Sequence, residues 1–425
     1  MLRIYCKNTG TFKEFQEGST LLDMIPEFDF ERPYEIISAK VNNVSQGLKF
    51  RVFNNRDVEF LDYRTYAGRN VYCRSLCFLL CKAAQDLFPG CKVVIRRPIS
   101  KGYFCRLDKP GGESMHRDDI AAIRERMLQL VAADTPFRRH EVQATEAISL
   151  FRGLGMPDKV KLLETCGEVY VSYYTLEGFA DYYCGALVPS TGYLKIWSLE
   201  PYHGGMLLRV PDRHHPENLA PFYEQPKTFD VFAESIKWNR IMGLDNVGDV
   251  NLACLGGKAS DLIQVAEALQ EKKIVQIAEE IDTRHNSPDP VRLVLITGPT
   301  SSGKSTFCKR LSVQLKACGL LPISFSTDDY FVNRLDTPTL PDGSFDFDNF
   351  EAVAHDALQA DVLFNSAYLV EFAVLRNHAE SILATVPKNC PEYSEASRLL
   401  TFLHYYIPVS DKEIPVTSFM KSFIG

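Results

Sequence analysis

The chain has no run of 18 apolar residues, no CxxC pair, no internal repeat and no low-complexity tract. Without a long apolar run no membrane-spanning helix is expected, so no membrane partner is expected either. Without paired cysteine spacings, the 12 cysteines in 425 residues read as reduced and mostly buried thiols. Positive charge is also in deficit, with a net charge of −7. A strong sequence-independent affinity for polyanions is therefore not expected, and nucleic acid is set aside as a partner at this point. The opening residues Met1 to Lys7 alternate polar with apolar and never form the apolar core of a signal peptide, so a cytoplasmic location is expected.

Cys73, Cys77 and Cys81 recur every four residues, which aligns them on one helix face. Three thiolates so placed could share a metal. Their neighbours Leu76, Phe78, Leu79 and Leu80 are apolar and no histidine is close in sequence, so the trio reads as core.

Four regions follow from composition and periodicity. Residues 1–63 read as a small β-rich module, with strands at Leu2 to Cys6, Thr11 to Phe15 and Glu35 to Val41 and a turn at Asn42-Asn43. Residues 70–220 combine an apolar helix from Cys73 to Leu87, a strand at Lys92 to Arg96, a charged helix from Arg117 to Ala132 and aromatic-rich strands between Val169 and Leu208. Residues 224–285 are largely helical, with Leu262, Val265, Ala266 and Leu269 at helical spacing. Pro288 and Pro290 then end the helix and open a last region, 290–425.

That region carries the most specific motif. Val291 to Thr297 reads as a buried strand of a parallel sheet, and it leads into Gly298, Pro299, Thr300, Ser301, Ser302, Gly303, Lys304, Ser305 and Thr306. The spacing GxxxxGK[ST] is that of a P-loop: two glycines let backbone N–H groups curl around phosphate, Lys304 reaches the terminal phosphates, and the Ser305 hydroxyl takes Mg²⁺. ATP and Mg²⁺ are the expected cofactors. A helix from Ser305 to Ala317 presents its positive end to the same anions. A second strand, Pro322 to Thr327, delivers Asp328 and Asp329 to the ligand end of the sheet, and Asp328 is the candidate catalytic base beside Lys304. An acidic loop follows with Asp342, Asp346 and Asp348.

The P-loop, then Ser326-Thr327-Asp328-Asp329-Tyr330-Phe331, then Asp342-Gly343-Ser344-Phe345-Asp346-Phe347-Asp348, resemble the phosphoribulokinase and uridine kinase family. The resemblance implies an α/β fold, a P-loop kinase-type parallel sheet, and ATP-dependent phosphorylation of a nucleoside or other ribose-type alcohol. It gives Asp328 the part of general base and Asp348 a contact to the sugar hydroxyls. A homo-oligomer is compatible with it. Lys304 is followed by 121 residues in this 425-residue chain, about half of what a complete member needs. The sheet is therefore expected to be incomplete, with the loss near 352–360 and the activity of the shortened domain in doubt.

Residues 1–63 resemble the TGS domain, a β-grasp module. Residues 70–220, with Leu87-Phe88-Pro89-Gly90-Cys91-Lys92 and Ile99-Ser100-Lys101-Gly102-Tyr103-Phe104, resemble the α+β second additional domain of threonyl-tRNA synthetase. In that domain an HxxxH pair and a later cysteine and histidine build a hydrolytic editing site. The matching positions here are Arg74, Phe78, Tyr183 and Leu187, with Cys184 one residue away. None of the four supplies an imidazole or thiol. Two further functions accompany the kinase expectation: an ATP-binding protein without efficient phosphoryl transfer, and an RNA- or tRNA-binding protein acting through residues 1–220.

Overall fold

The computed structural model describes residues 1–298, 302–324, 361–367, 369–416, 418 and 420–421. The chain forms two compact units, residues 1–224 with 377–407, and residues 225–376 with 408–425. It is a mixed α/β protein whose sheets are open rather than closed into a barrel. Among the described residues no helix is long and apolar enough to cross a membrane.

In the first unit, period-two alternation buries Leu2, Ile4 and Cys6 on one face of β1 (Leu2–Cys6). β1 pairs with β2 (Thr11–Phe15), and β3 (Ser38–Val41), β4 (Val44–Gly47) and β5 (Arg56–Leu61) complete a five-stranded sheet ordered β2-β1-β5-β3-β4. The β3–β4 turn places Asn42 and Asn43 at φ 49° and 63°, a conformation asparagine tolerates better than most residues. A short helix, α1 (Leu21–Met24), is held by a capping box in which Thr20 and Asp23 exchange side-chain and backbone bonds. Its Leu21 and Met24 close the core over Ile4, Leu48 and Val58.

α2 (Tyr66–Leu87) begins about two turns before the predicted Cys73. Thr65 caps it by accepting the Gly68 N–H at 3.1 Å. Gly68 also sits so near Asp62 that a Cβ would lie 2.1 Å from the Asp62 carbonyl oxygen, so the glycine that weakens the helical pattern is what lets the helix start there. β6 (Lys92–Ile99), β7 (Gly102–Asp108), α3 (Arg117–Ala132), β8 (Arg138–Gln143), α4 (Ala144–Gly153), α5 (Pro157–Thr165), β9 (Tyr170–Leu176), β10 (Phe179–Asp181), β11 (Ser198–Tyr202) and β12 (Gly205–Arg209) follow. They make two antiparallel sheets, β11-β12-β7-β6 and β10-β9-β8. Their main core gathers Leu76, Phe78 and Leu80 of α2 with Ile123 and Met127 of α3 and Met206 and Leu208 of β12.

The second unit holds α6 (Pro226–Ile241), α7 (Val247–Leu255), α8 (Ala259–His285) and α9 (Lys304–Ala317). Ile274, Ile277 and Ala278 of α8 pack on Leu311 and Leu315 of α9, and Ile296, Val362 and Phe364 border that core. In sequence α10 (Glu371–Leu383) and α11 (Tyr393–Leu403) come last, and α11 belongs to the first unit.

The expected strand at Val291 to Thr297 is not formed: 291–298 and 321–324 lie outside any strand, and 325–327 lie outside the described residues. A parallel strand takes its hydrogen bonds from neighbouring strands, and the described part of this unit supplies none. Leu293 and Leu295 are accordingly 74% and 82% exposed.

Candidate functional site

The four positions matched to the editing site come together. Arg74 and Phe78 lie one turn apart on α2 and face the segment after β10. The Arg74 Nη1 donates to the Ala186 carbonyl at 2.7 Å. The Phe78 and Tyr183 rings are 5.3 Å apart. Leu187 is buried in the same core. Next to Arg74, the Ser75 hydroxyl donates to the Val71 carbonyl and accepts the Val188 N–H at 2.9 Å, which fixes the segment to the helix.

Where a hydrolytic cleft would need open space, this pocket is filled. Phe78 is fully buried, and the rings of Phe137 and Phe179 meet it edge-on at 5.6 Å and 5.2 Å. Tyr183 points its hydroxyl toward the Cys81 Sγ at 3.9 Å, and burial holds its phenol well above the usual range. Cys184 is exposed. Burial likewise pushes the Cys77 thiol well above its usual range and that of Cys81 up to about 12. Beside Cys81 the Lys159 Nζ meets Asp181 Oδ1 at 3.0 Å.

The C-terminal part of the chain flanks the same place. Tyr182 Oη donates to Tyr405 Oη at 2.9 Å, and the Arg398 guanidinium lies 5.7 Å from the Tyr66 ring centre. No sequence signal connects Tyr405 to Tyr182, because the two are separated by 223 positions.

The second candidate site is the P-loop. Gly303 has φ +81°, a left-handed turn that glycine adopts freely, and it opens α9. Lys304 folds back so that its Nζ donates to the Gly298 carbonyl at 2.8 Å. The two ends of the loop, Gly298 and Ser302 to Thr306, thus curl around one point at the positive end of a 14-residue helix. Pro299, Thr300, Ser301, Asp328 and Asp348 lie outside the described residues, as do Asp329, Asp342, Asp346 and the 352–360 junction.

No family model matches the chain. Curated relatives are threonine–tRNA ligases. That of Parabacteroides distasonis is 27% identical over 186 residues, 44% of this chain and 28% of the relative. That of Syntrophomonas wolfei is 30% identical over 196 residues, 46% of this chain and 30% of the relative. That of Pelodictyon phaeoclathratiforme is 30% identical over 189 residues, 44% of this chain and 28% of the relative. The chain spans under a third of the length of these relatives.

These relatives correct the sequence-based expectations in two respects. They are tRNA ligases and not members of the phosphoribulokinase and uridine kinase family, so the nucleoside kinase activity and the kinase classification are withdrawn. The reason is the shortness of the motif: a P-loop specifies a phosphate cradle, and many reactions use one. Setting nucleic acid aside is corrected as well, because a tRNA appears in the name of each relative. Net charge sums the whole chain, while polyanion contact depends on where the cations sit.

Proposed function

We propose that this chain is a tRNA-binding protein of the cytoplasm that contacts RNA through residues 1–220. The observation carrying this reading is the similarity of 186 to 196 residues to threonine–tRNA ligases, a length that residues 1–220 accommodate. In this reading residues 1–63 are a TGS-like β-grasp module and 70–220 an α+β domain like the second additional domain of threonyl-tRNA synthetase. Residues 224–285 connect them to a P-loop region, 290–425.

A charged tRNA is held here without hydrolysis of its aminoacyl ester. Ester hydrolysis needs a group that takes a proton from water or a metal that acidifies it. Arg74 is a permanent cation that only donates, Phe78 and Leu187 carry no polar group, and the Tyr183 phenol is kept neutral by burial. The P-loop binds ATP with Mg²⁺ through Gly298, Pro299, Thr300, Ser301, Ser302, Gly303, Lys304, Ser305 and Thr306. In this proposal Asp328 serves that nucleotide through the water shell of Mg²⁺, and Asp348 contacts the hydroxyls of a ribose.

Filter binding of the full chain to a tRNA transcript tests the main reading. We expect saturable binding tighter than about 10⁻⁶ M at physiological salt, beyond the roughly 10⁻⁴ to 10⁻⁶ M of non-specific nucleic-acid binding. Binding no tighter to the tRNA than to an unrelated duplex of equal length would overturn it. Release of threonine or serine from charged tRNA by the chain would overturn the claim that no hydrolysis occurs.

A further inference from the structure

The first unit carries a group of cations that neither the pocket nor the P-loop uses. β8 is the outer strand of its three-stranded sheet, and it begins with Arg138 and Arg139, both exposed. The Lys49 side chain, from the five-stranded module, reaches the same spot and donates from Nζ to the Phe137 carbonyl at 3.1 Å. Arg139 is oriented by the Ser172 hydroxyl at 2.5 Å and by Glu141 at 3.1 Å. Among the described residues no carboxylate pairs with Arg138 or Lys49 within 4.0 Å. The acid nearest to them by charge effect, Asp134, is engaged by the Gly192 N–H at 2.9 Å.

The like charges of Lys49 and Arg138 repel one another here, a cost that an anion joining them removes. The cost registers on Lys49, whose ammonium is pushed below its usual range by burial first and by Arg138 second, with Asp134 opposing. The position is also informative. Phe137, one residue before the arginines, is buried against Phe78, so the cationic strand starts at the wall of the aromatic-filled pocket. Register places Arg139 and Gln143 on the sheet face that also bears Tyr174 and Tyr170, and Arg138 on the opposite face, so the two arginines flank the outer edge of β8 from its two sides. Tyr170 is 60% exposed, a ring on which an unpaired base can stack.

We propose that Lys49, Arg138 and Arg139 form a binding site for the phosphodiester backbone of RNA, running along β8 beside the filled pocket. The proposal rests on the tRNA-binding reading and assigns its phosphate contacts. Two guanidinium groups and an ammonium fit consecutive phosphates, because arginine grips phosphate oxygens in a fork while lysine contributes a point charge.

The test is filter binding of a tRNA transcript between 50 and 200 mM salt, using the full chain, K49Q/R138Q/R139Q, and a control, K237A/R240A/K272A, that removes three charges from α6 and α8. Each phosphate contact contributes about 0.7 to 0.9 to the slope of log affinity against log salt. The triple variant should therefore lose about 2 to 3 from that slope and bind at least tenfold more weakly, while the control keeps the wild-type slope. If the wild type binds no tRNA, the functional reading itself fails. If the wild type binds and the triple variant keeps its slope, this site is wrong and the reading stands. An equal loss in the control would also overturn the site, since net charge would then explain it. R138Q alone is the second variant. Among the described residues Arg138 has no side-chain partner to lose, so a folded R138Q protein should drop the slope by about 0.7 to 0.9, and an unchanged slope would count against the site.

Discussion

Replacing Phe78 by alanine probes the statement that the pocket is packed rather than open. The ring is fully buried and contacts Phe137 at 5.6 Å, Phe179 at 5.2 Å and Tyr183 at 5.3 Å. Removing a buried phenyl ring costs about 3 to 5 kcal/mol, the transfer free energy plus a cavity term. Each aromatic pair is worth about 0.5 to 1.5 kcal/mol beyond area; these contributions overlap with the first and are not added to it. They do place the expected loss near the top of the range, about 4 to 5 kcal/mol. Small side chains around Phe78 could relax into the space, but three of its neighbours are rigid rings, which collapse poorly. For a unit of this size about 2 to 4 °C is lost per kcal/mol, so the melting midpoint should fall by about 8 to 20 °C. Urea unfolding followed by near-ultraviolet circular dichroism measures the free energy directly. A loss under about 1.5 kcal/mol would refute the reasoning, because it would mean that water already occupies the pocket.

Lys304→Ala should weaken ATP·Mg²⁺ binding at least tenfold by calorimetry, since it removes the cation that curls back on Gly298; equal affinity would sink the nucleotide site. Cys73, Cys77 and Cys105 are buried with thiols pushed above their usual range. An unfolded thiol ionises from about pH 8.5, so above that pH the unfolded state sheds protons the folded state retains. Stability should then fall with rising pH, by about 1.4 kcal/mol per unit for each thiol until its folded value is reached. Urea midpoints at pH 7.5 and 9.5 give the check, and equal midpoints contradict the burial argument. Tyr405→Phe deletes a hydroxyl that accepts from Tyr182 and should cost about 1 kcal/mol; no change would show that water replaces the contact.

Local patterns carried much of the first unit. Alternation in β1, the Asn42-Asn43 turn and the charged stripe of α3 are decided by residues within a few positions of one another, so their elements could be read directly. The start of α2 could not, because Gly68 is tolerated there only for its closeness to Asp62 across the turn. Val291 to Thr297 shows the opposite failure. Its β-branched and aliphatic run suits a buried strand, yet a strand is a property of two chains side by side, and no neighbour is present among the described residues. At the pocket, Arg74 and Phe78 were legible only through the resemblance that matched them to an HxxxH pair. Phe137, Phe179 and Tyr405 were not, since they reach Phe78 or Tyr182 from distant points in the sequence.

The same distinction bears on function. A hydrolytic site must alternate between proton-bound and proton-free forms near neutral pH, and that demand selects imidazole, carboxylate or metal-bound water. The four positions Arg74, Phe78, Tyr183 and Leu187 meet none of these demands. Arg74 is fixed on the Ala186 carbonyl and never gives up its proton, Phe78 and Leu187 fill space, and burial keeps the Tyr183 phenol and the Cys81 thiol neutral. Packing of this kind stabilises α2 against the segment after β10, and stability there holds Phe137 in place. Because Phe137 precedes Arg138 and takes the Lys49 ammonium on its carbonyl, the filled pocket acts as the rigid footing of the cationic strand. Packing of the pocket and placement of Lys49 and Arg138 are then linked through one residue, Phe137. A variant that loosens the pocket should weaken RNA binding through position rather than charge, lowering affinity while leaving the salt slope as it was.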